Sequence, residues 1–295
     1  MSETIAAPPA RSRPWLAYAL VTTVFWGVWG ALIEIPEKAG FPATLGYSVW
    51  ALTMIPCALF ALRRNGWKVE RNLRSVLLGA GAGLFGAGGQ LILFEALRTG
   101  PAYIVFPVVS LYPALTIVLS LLLLEERASR RAWAGIALAL PAIALLSWVA
   151  PGDGVVRGYG WLALAVGVFL MWGLQGWILK LANETMSAEG IFAYMAASAV
   201  LLVPVALSMT DFARPINWGF KGPYLAALIH VLNAIGALTL VYALRQGKAI
   251  IVVPLTALAP VLTIVLSLAI YSRLPLPAQA VGLVLATIAI YLMAE

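Results

Sequence analysis

Apolar residues fall into ten long runs separated by short polar stretches. A helix crossing a bilayer needs ~20 mostly apolar residues, because each residue rises ~1.5 Å through a hydrocarbon core ~30 Å thick. The runs predict spanning helices near Trp15–Ile33, Phe41–Leu62, Ser75–Leu97, Ala102–Leu124, Ala132–Ala150, Tyr159–Ala182, Ala188–Met209, Pro223–Leu244, Ile250–Tyr271 and Pro277–Met293. The longest connections, Arg63–Arg74 and Thr210–Gly222, leave no room for an extramembrane domain.

Composition sharpens this picture. The 295 residues are 62% hydrophobic and 11% charged, whereas an ordinary soluble domain carries about 25% charged residues. A cytosolic enzyme, a disordered chain, a nucleic-acid binder and a disulfide scaffold are excluded; the partners expected are a lipid bilayer and a small molecule. Cys57 is the single cysteine, so no internal disulfide and no Cys metal site is expected, nor any cofactor. The net charge of +7 needs no acidic partner. Of the 19 Lys and Arg, 13 fall on one side of the predicted spans. The positive-inside rule makes that side cytoplasmic and places both termini there, with the multi-pass chain in the cell (inner) membrane. Residues 1–14 read as a disordered cytoplasmic tail.

The chain also repeats itself. Displaced by 147 residues, "GPAYIVFPVVSLYPALTIVLSL" from Gly100 falls on "GKAIIVVPLTALAPVLTIVLSL" from Gly247 without a gap. Pro107 meets Pro254 and Pro113 meets Pro260. A displacement of 146 pairs "FWGVWG" (Phe25–Gly30) with "MWGLQG" (Met171–Gly176). Each half holds five spans. Five is odd, so the second half enters the lipid from the opposite face, and the halves are inverted repeats. Such repeats in secondary transporters enclose a midplane site. The fold class is therefore an all-α integral membrane protein, ten transmembrane helices arranged as two inverted five-helix repeats around a central cavity.

"FWGVWG" in the first span, "PVVSLYPALTIVLSLLLLEERASRRAWAGIALAL" across the fourth and fifth, and the weaker copy in the second half resemble the drug/metabolite transporter superfamily, EamA-type. Length and layout are similar to its YddG-like amino-acid exporters. The resemblance implies one repeat over residues 15–150 and a second over 155–295. It also implies a small-molecule secondary transporter working by alternating access, here expected to export amino acids or similar metabolites. Multidrug or organic-cation and sugar-type metabolite transporters share these motifs and stand as the alternative. A membrane-embedded enzyme is the alternative from another class, but one histidine and scattered acids make a poor catalytic set. A chain holding both halves of its own repeat is expected to be a monomer.

The repeat frame also locates candidate binding residues. In the third and eighth spans Gly83 pairs with His230, Gly86 with Asn233 and Gln90 with Ala237. Each trio shares one helix face. Polar groups facing lipid would be costly, so both faces are expected to turn toward a shared cavity; the competing reading is interhelical hydrogen bonding. Trp26 and Trp172, with Trp29 and Gln175, lie well inside the first and sixth spans. They suit an aromatic wall offering cation–π contacts, or simple packing. Ser110 and Tyr112 join this set beside the mid-span prolines. Pro107, Pro113, Pro254 and Pro260 remove helix donors and are candidate hinges, or static kinks. Glu34 and Glu95, near span ends, are candidates for coupling or gating. Gly81–Gly86 matches a dinucleotide-binding pattern only in form, since no strand precedes it; Gly79 and Gly83 read better as a packing face.

Overall fold

The computed structural model describes residues 14–151, 159–272 and 274–294. Most of the expected N-terminal tail lies outside them, whereas Pro14 opens the first helix. The described residues are helical, with no strand among them.

In order these are α1 (Pro14–Leu32), α2 (Glu34–Lys38), α3 (Ala43–Arg64), α4 (Leu73–Thr99), α5 (Ala102–Ser110), α6 (Tyr112–Leu123), α7 (Arg130–Leu146), α8 (Gly160–Ala182), α9 (Ala188–Leu201), α10 (Val203–Ser208), α11 (Leu225–Gln246), α12 (Ala249–Thr256), α13 (Pro260–Tyr271) and α14 (Pro277–Met293). A short π-helical turn, Phe220–Tyr224, leads into α11.

Eight helical stretches are long and apolar enough to cross a membrane, and α14 is a shorter apolar helix. Five of the eight contain an interruption that the hydropathy pattern does not show. One of these, α5 and α6, breaks at Leu111 between Pro107 and Pro113. The matching stretch, α12 and α13, breaks at Ala257–Ala259, between Pro254 and Pro260. Pro113 and Pro260 each take the first turn of the new helix, where a missing N–H is harmless.

Packing across the two halves follows the repeat. Trp26 of α1 lies against Gly236 of α11, and Trp172 of α8 against Gly89 of α4. Residues 89 and 236 are one repeat apart. Trp15 and Gly247 touch, as do Trp161 and Gly100, so α1 runs antiparallel to α11 and α8 to α4. Gly27 packs on Leu262 and Gly173 on Leu115. Thr263 Oγ1 donates to the Gly27 carbonyl at 2.9 Å, and Thr116 Oγ1 donates to that of Gly173 at 2.8 Å. Each of these contacts recurs with the halves exchanged, as a twofold relation requires. The pair α7 and α14 is its own image: Gly135 meets Met293, and Gly282 meets Leu146, which makes them antiparallel. Gly79 and Gly83 are packed by Tyr194 and Ser198 of α9.

Two ends of the bundle differ in chemistry. At the end carrying Arg63, Arg64, Arg130 and Arg131, polar side chains tie helix ends together. Glu70 accepts from the Ser187 N–H at 2.9 Å, and Tyr194 donates to the Glu70 carbonyl at 2.7 Å. At the opposite end Asn217, the repeat counterpart of Glu70, donates through Nδ2 to the Ala39 carbonyl at 3.0 Å.

Candidate transport cavity

A cavity of about 620 Å³ runs between the halves. Its lining includes Trp26, Trp29, Gln90, Ser110, Tyr112, Trp172, Gln175, His230 and Asn233, so the nine candidate binding residues read from the sequence meet in one space. Four helices place them: α1 and α11 on one side, α4 and α8 on the other, with Ser110 and Tyr112 flanking the α5–α6 break. Pro260 also lines the cavity, beside the second break. Pro107, Pro113 and Pro254 are outside the lining but border the two interruptions.

Glu34 and Glu95 lie elsewhere. Glu34 is ion-paired with Lys38 on the next turn. Glu95 is held by Arg98 in a two-pronged pair at 2.5 and 2.7 Å. Both pairs sit at helix ends; neither acid is in the cavity lining, though their chain neighbours Ile33 and Phe94 are.

The aromatic walls are positioned by bonds to backbone. Trp26 Nε1 donates to the Asn233 carbonyl at 3.3 Å, and Trp172 Nε1 donates to the Gly86 carbonyl at 3.1 Å. A Cβ on Gly236 or Gly89 would lie 2.5 Å from the corresponding indole nitrogen. The glycines are therefore what lets each indole lie flat on the facing helix. Tyr112 meets Trp172 edge-on, centroids 5.8 Å apart.

Polar side chains divide into two kinds. Gln90 and Gln175 reach no hydrogen-bond partner among the described residues, while Gln175 packs against the bare backbone of Gly86. His230 and Asn233 are both engaged. Trp29 Nε1 donates to His230 Nδ1 at 3.1 Å, and Trp50 Nε1 donates to Asn233 Oδ1 at 2.8 Å. Among the described residues the lining carries a single ionisable acid or base of full charge, Glu37, which is exposed where α2 ends. In the other direction the lining stops at buried Leu179, Leu240 and Val253. The cavity is thus shut toward the Arg-rich end and reaches the surface at the opposite one.

Beneath the shut end lies an ionic clasp. Glu126, just past α6, accepts from the N–H groups of Ala249 and Ile250 at 3.1 and 3.0 Å. Two donors and the positive end of the α12 dipole stabilise its charge. Lys180 Nζ, 3.9 Å from that carboxylate, donates to the carbonyls of Leu244 and Gly247 at 3.0 and 2.8 Å. Lys248 reaches back to the Arg127 carbonyl. One linker, between α11 and α12, is therefore held by residues from both halves.

Sequence reasoning missed Trp50 and Tyr47 of α3, which stack edge to face at 5.3 Å and line the cavity. Their spacing of three on one face was an available signal. Glu126 was hidden in the run Glu125-Glu126-Arg127, which reads as a solvated loop.

Comparison with known proteins agrees with this architecture. The chain is 27% identical over 260 residues to Protein RarD of Streptomyces exfoliatus, spanning 83% of this chain and 75% of that one. It is 34% identical over 133 residues to the uncharacterized protein MJ1333.1 of Methanocaldococcus jannaschii, which covers 45% of this chain and 93% of the relative. A solved crystal structure shares the fold with a TM-score of 0.77 at 21% identity, covering 94% and 98% of the two chains. The EamA-like transporter family matches twice, over residues 13–148 and 159–294. The chain therefore belongs to the EamA-like transporter family and is a membrane transporter of small substrates.

Proposed function

We propose that this protein is a secondary transporter of the cell (inner) membrane that exports amino acids or similar small metabolites by alternating access. The ten spans are the eight long stretches together with α7 and α14, in two inverted repeats at 15–150 and 155–295, acting as a monomer with cytoplasmic termini. The observation that carries this reading is the cavity closed by Leu179, Leu240 and Val253 at the Arg-rich end and reaching Glu37 at the other. With the Arg-rich end cytoplasmic, this conformation faces outward. Inward opening parts the Glu126–Lys180 clasp and brings the opposite ends together around the breaks at Leu111 and Ala257–Ala259.

The nine candidate residues form the binding surface, with Trp26, Trp29 and Trp172 supplying aromatic faces. Those faces also support the organic-cation alternative, since a cation over a Trp ring is attracted to it. Reconstituted protein loaded with one labelled amino acid is expected to show counterflow. Absence of flux for every amino acid, sugar and organic cation tried, with protein shown to be folded, overturns the proposal.

A further inference from the structure

The chemistry of the engaged polar groups specifies one end of the substrate. An indole nitrogen can only donate. Trp50 Nε1 bonds to the Asn233 side chain at 2.8 Å, so the atom it meets is the amide oxygen. The Asn233 amide is thereby fixed with its NH2 turned the other way, and Nδ2 makes no hydrogen bond among the described residues. One turn away on the same helix, Trp29 Nε1 donates to His230 Nδ1 at 3.1 Å. That nitrogen is an acceptor, so the ring is neutral and its proton sits on Nε2, which is buried beside Gly46 and meets no acceptor. Each tryptophan thus occupies the acceptor atom of the side chain it meets, and the nitrogens left without a partner, Asn233 Nδ2 and His230 Nε2, are donors.

The repeat copy lacks this device. Gly83 and Gly86 occupy the positions equivalent to His230 and Asn233, so tryptophan-oriented donors belong to one wall, while Gln90 and Gln175 opposite offer donor and acceptor alike. No Lys or Arg lines the cavity among the described residues.

Resting on the transporter reading above, we propose that Asn233 is the specificity-determining residue for an acceptor oxygen of the substrate, a carboxylate or a neutral carbonyl. Trp50 is the positioning residue that holds the Asn233 amide donor-outward, and His230 lies one turn behind as a second donor. Substrates bearing such an oxygen bind in preference to the same skeleton without it, because a donor that a ligand covers without accepting from it loses its water uncompensated.

The test is equilibrium binding of L-tryptophan, tryptophanamide and tryptamine to the purified full-length protein. All three share an indole and an amine and differ in the oxygen. Wild type is expected to bind the first two about tenfold tighter than tryptamine. Preference for tryptophan over its amide identifies a carboxylate site; equal binding identifies a carbonyl site. N233D leaves one oxygen for Trp50 and turns the other toward the ligand, so the order is expected to invert in favour of tryptamine. W50F frees the amide to rotate, and the preference is expected to shrink to about twofold without loss of folding. Equal binding of all three to wild type, unchanged order in N233D, or no binding of any probe to folded wild type overturns the proposal. Counterflow of another solute in the same preparation would leave the transporter reading standing.

Discussion

The indole nitrogen of Trp172 donates to the backbone carbonyl of Gly86 at 3.1 Å. One repeat away, Trp26 does the same to Asn233. Each bond joins the two halves across the cavity, and each depends on a glycine beside the ring, Gly89 and Gly236.

Gly89→Ala and Gly236→Ala are therefore expected to force the indoles off the facing helix. A methyl at 2.5 Å from Nε1 must be relieved by ring rotation or helix separation, at a cost of about 1–3 kcal/mol. Thermal unfolding in detergent checks this, and an unchanged melting temperature for both variants refutes it. Gly167→Ala, with open space around its Cβ, is the control.

Removing the clasp should change which face is open. Glu126→Ala leaves the Ala249 and Ile250 N–H groups and Lys180 without the carboxylate. In a C57S background, a cysteine placed at Leu240 is expected to react with a maleimide from the Arg-rich side about fivefold faster when Glu126 is Ala, a shift of roughly 1 kcal/mol in the balance of states. Equal labelling rates would show that the clasp does not hold the floor shut.

The breaks between α5 and α6 and between α12 and α13 should matter for movement rather than affinity. Pro107→Ala and Pro254→Ala restore the donors missing inside α5 and α12, beside each break. Turnover is expected to fall about tenfold with substrate affinity within about twofold, since the break is then less able to bend. A matched loss of affinity would place these prolines in the binding surface instead.

Neutralising Glu95 is expected to leave transport within about twofold, because a surface pair to Arg98 contributes little. Glu95→Gln in the counterflow assay checks this. Complete loss of flux would return Glu95 to the coupling role its position in the sequence suggests.

Much of the architecture was legible because hydropathy and the 147-residue repeat are one-dimensional signals. Gly86 and Asn233 could be aligned on paper, and their helices do face the same space. The breaks were marked only by prolines, and where each helix resumes depended on packing: Leu111 in one half, three residues in the other. Trp50 left only a faint trace, its spacing of three from Tyr47, because its repeat position holds Ala197, with nothing polar to single it out. Glu126 was not legible. Its partners are backbone N–H groups 123 and 124 residues away, and backbone donors leave no trace in residue identity.

The twofold exchange of contacts carries a further consequence. Were the halves identical, the outward-facing and inward-facing shapes would be the same object turned over, and neither would be preferred. Whatever resting poise the empty carrier has must then come from the few positions where the copies differ, such as Glu126 against Arg273, Lys180 against Glu34 and His230 against Gly83. Those mismatches decide on which doorstep the carrier waits, while the direction of net flow is left to the gradient.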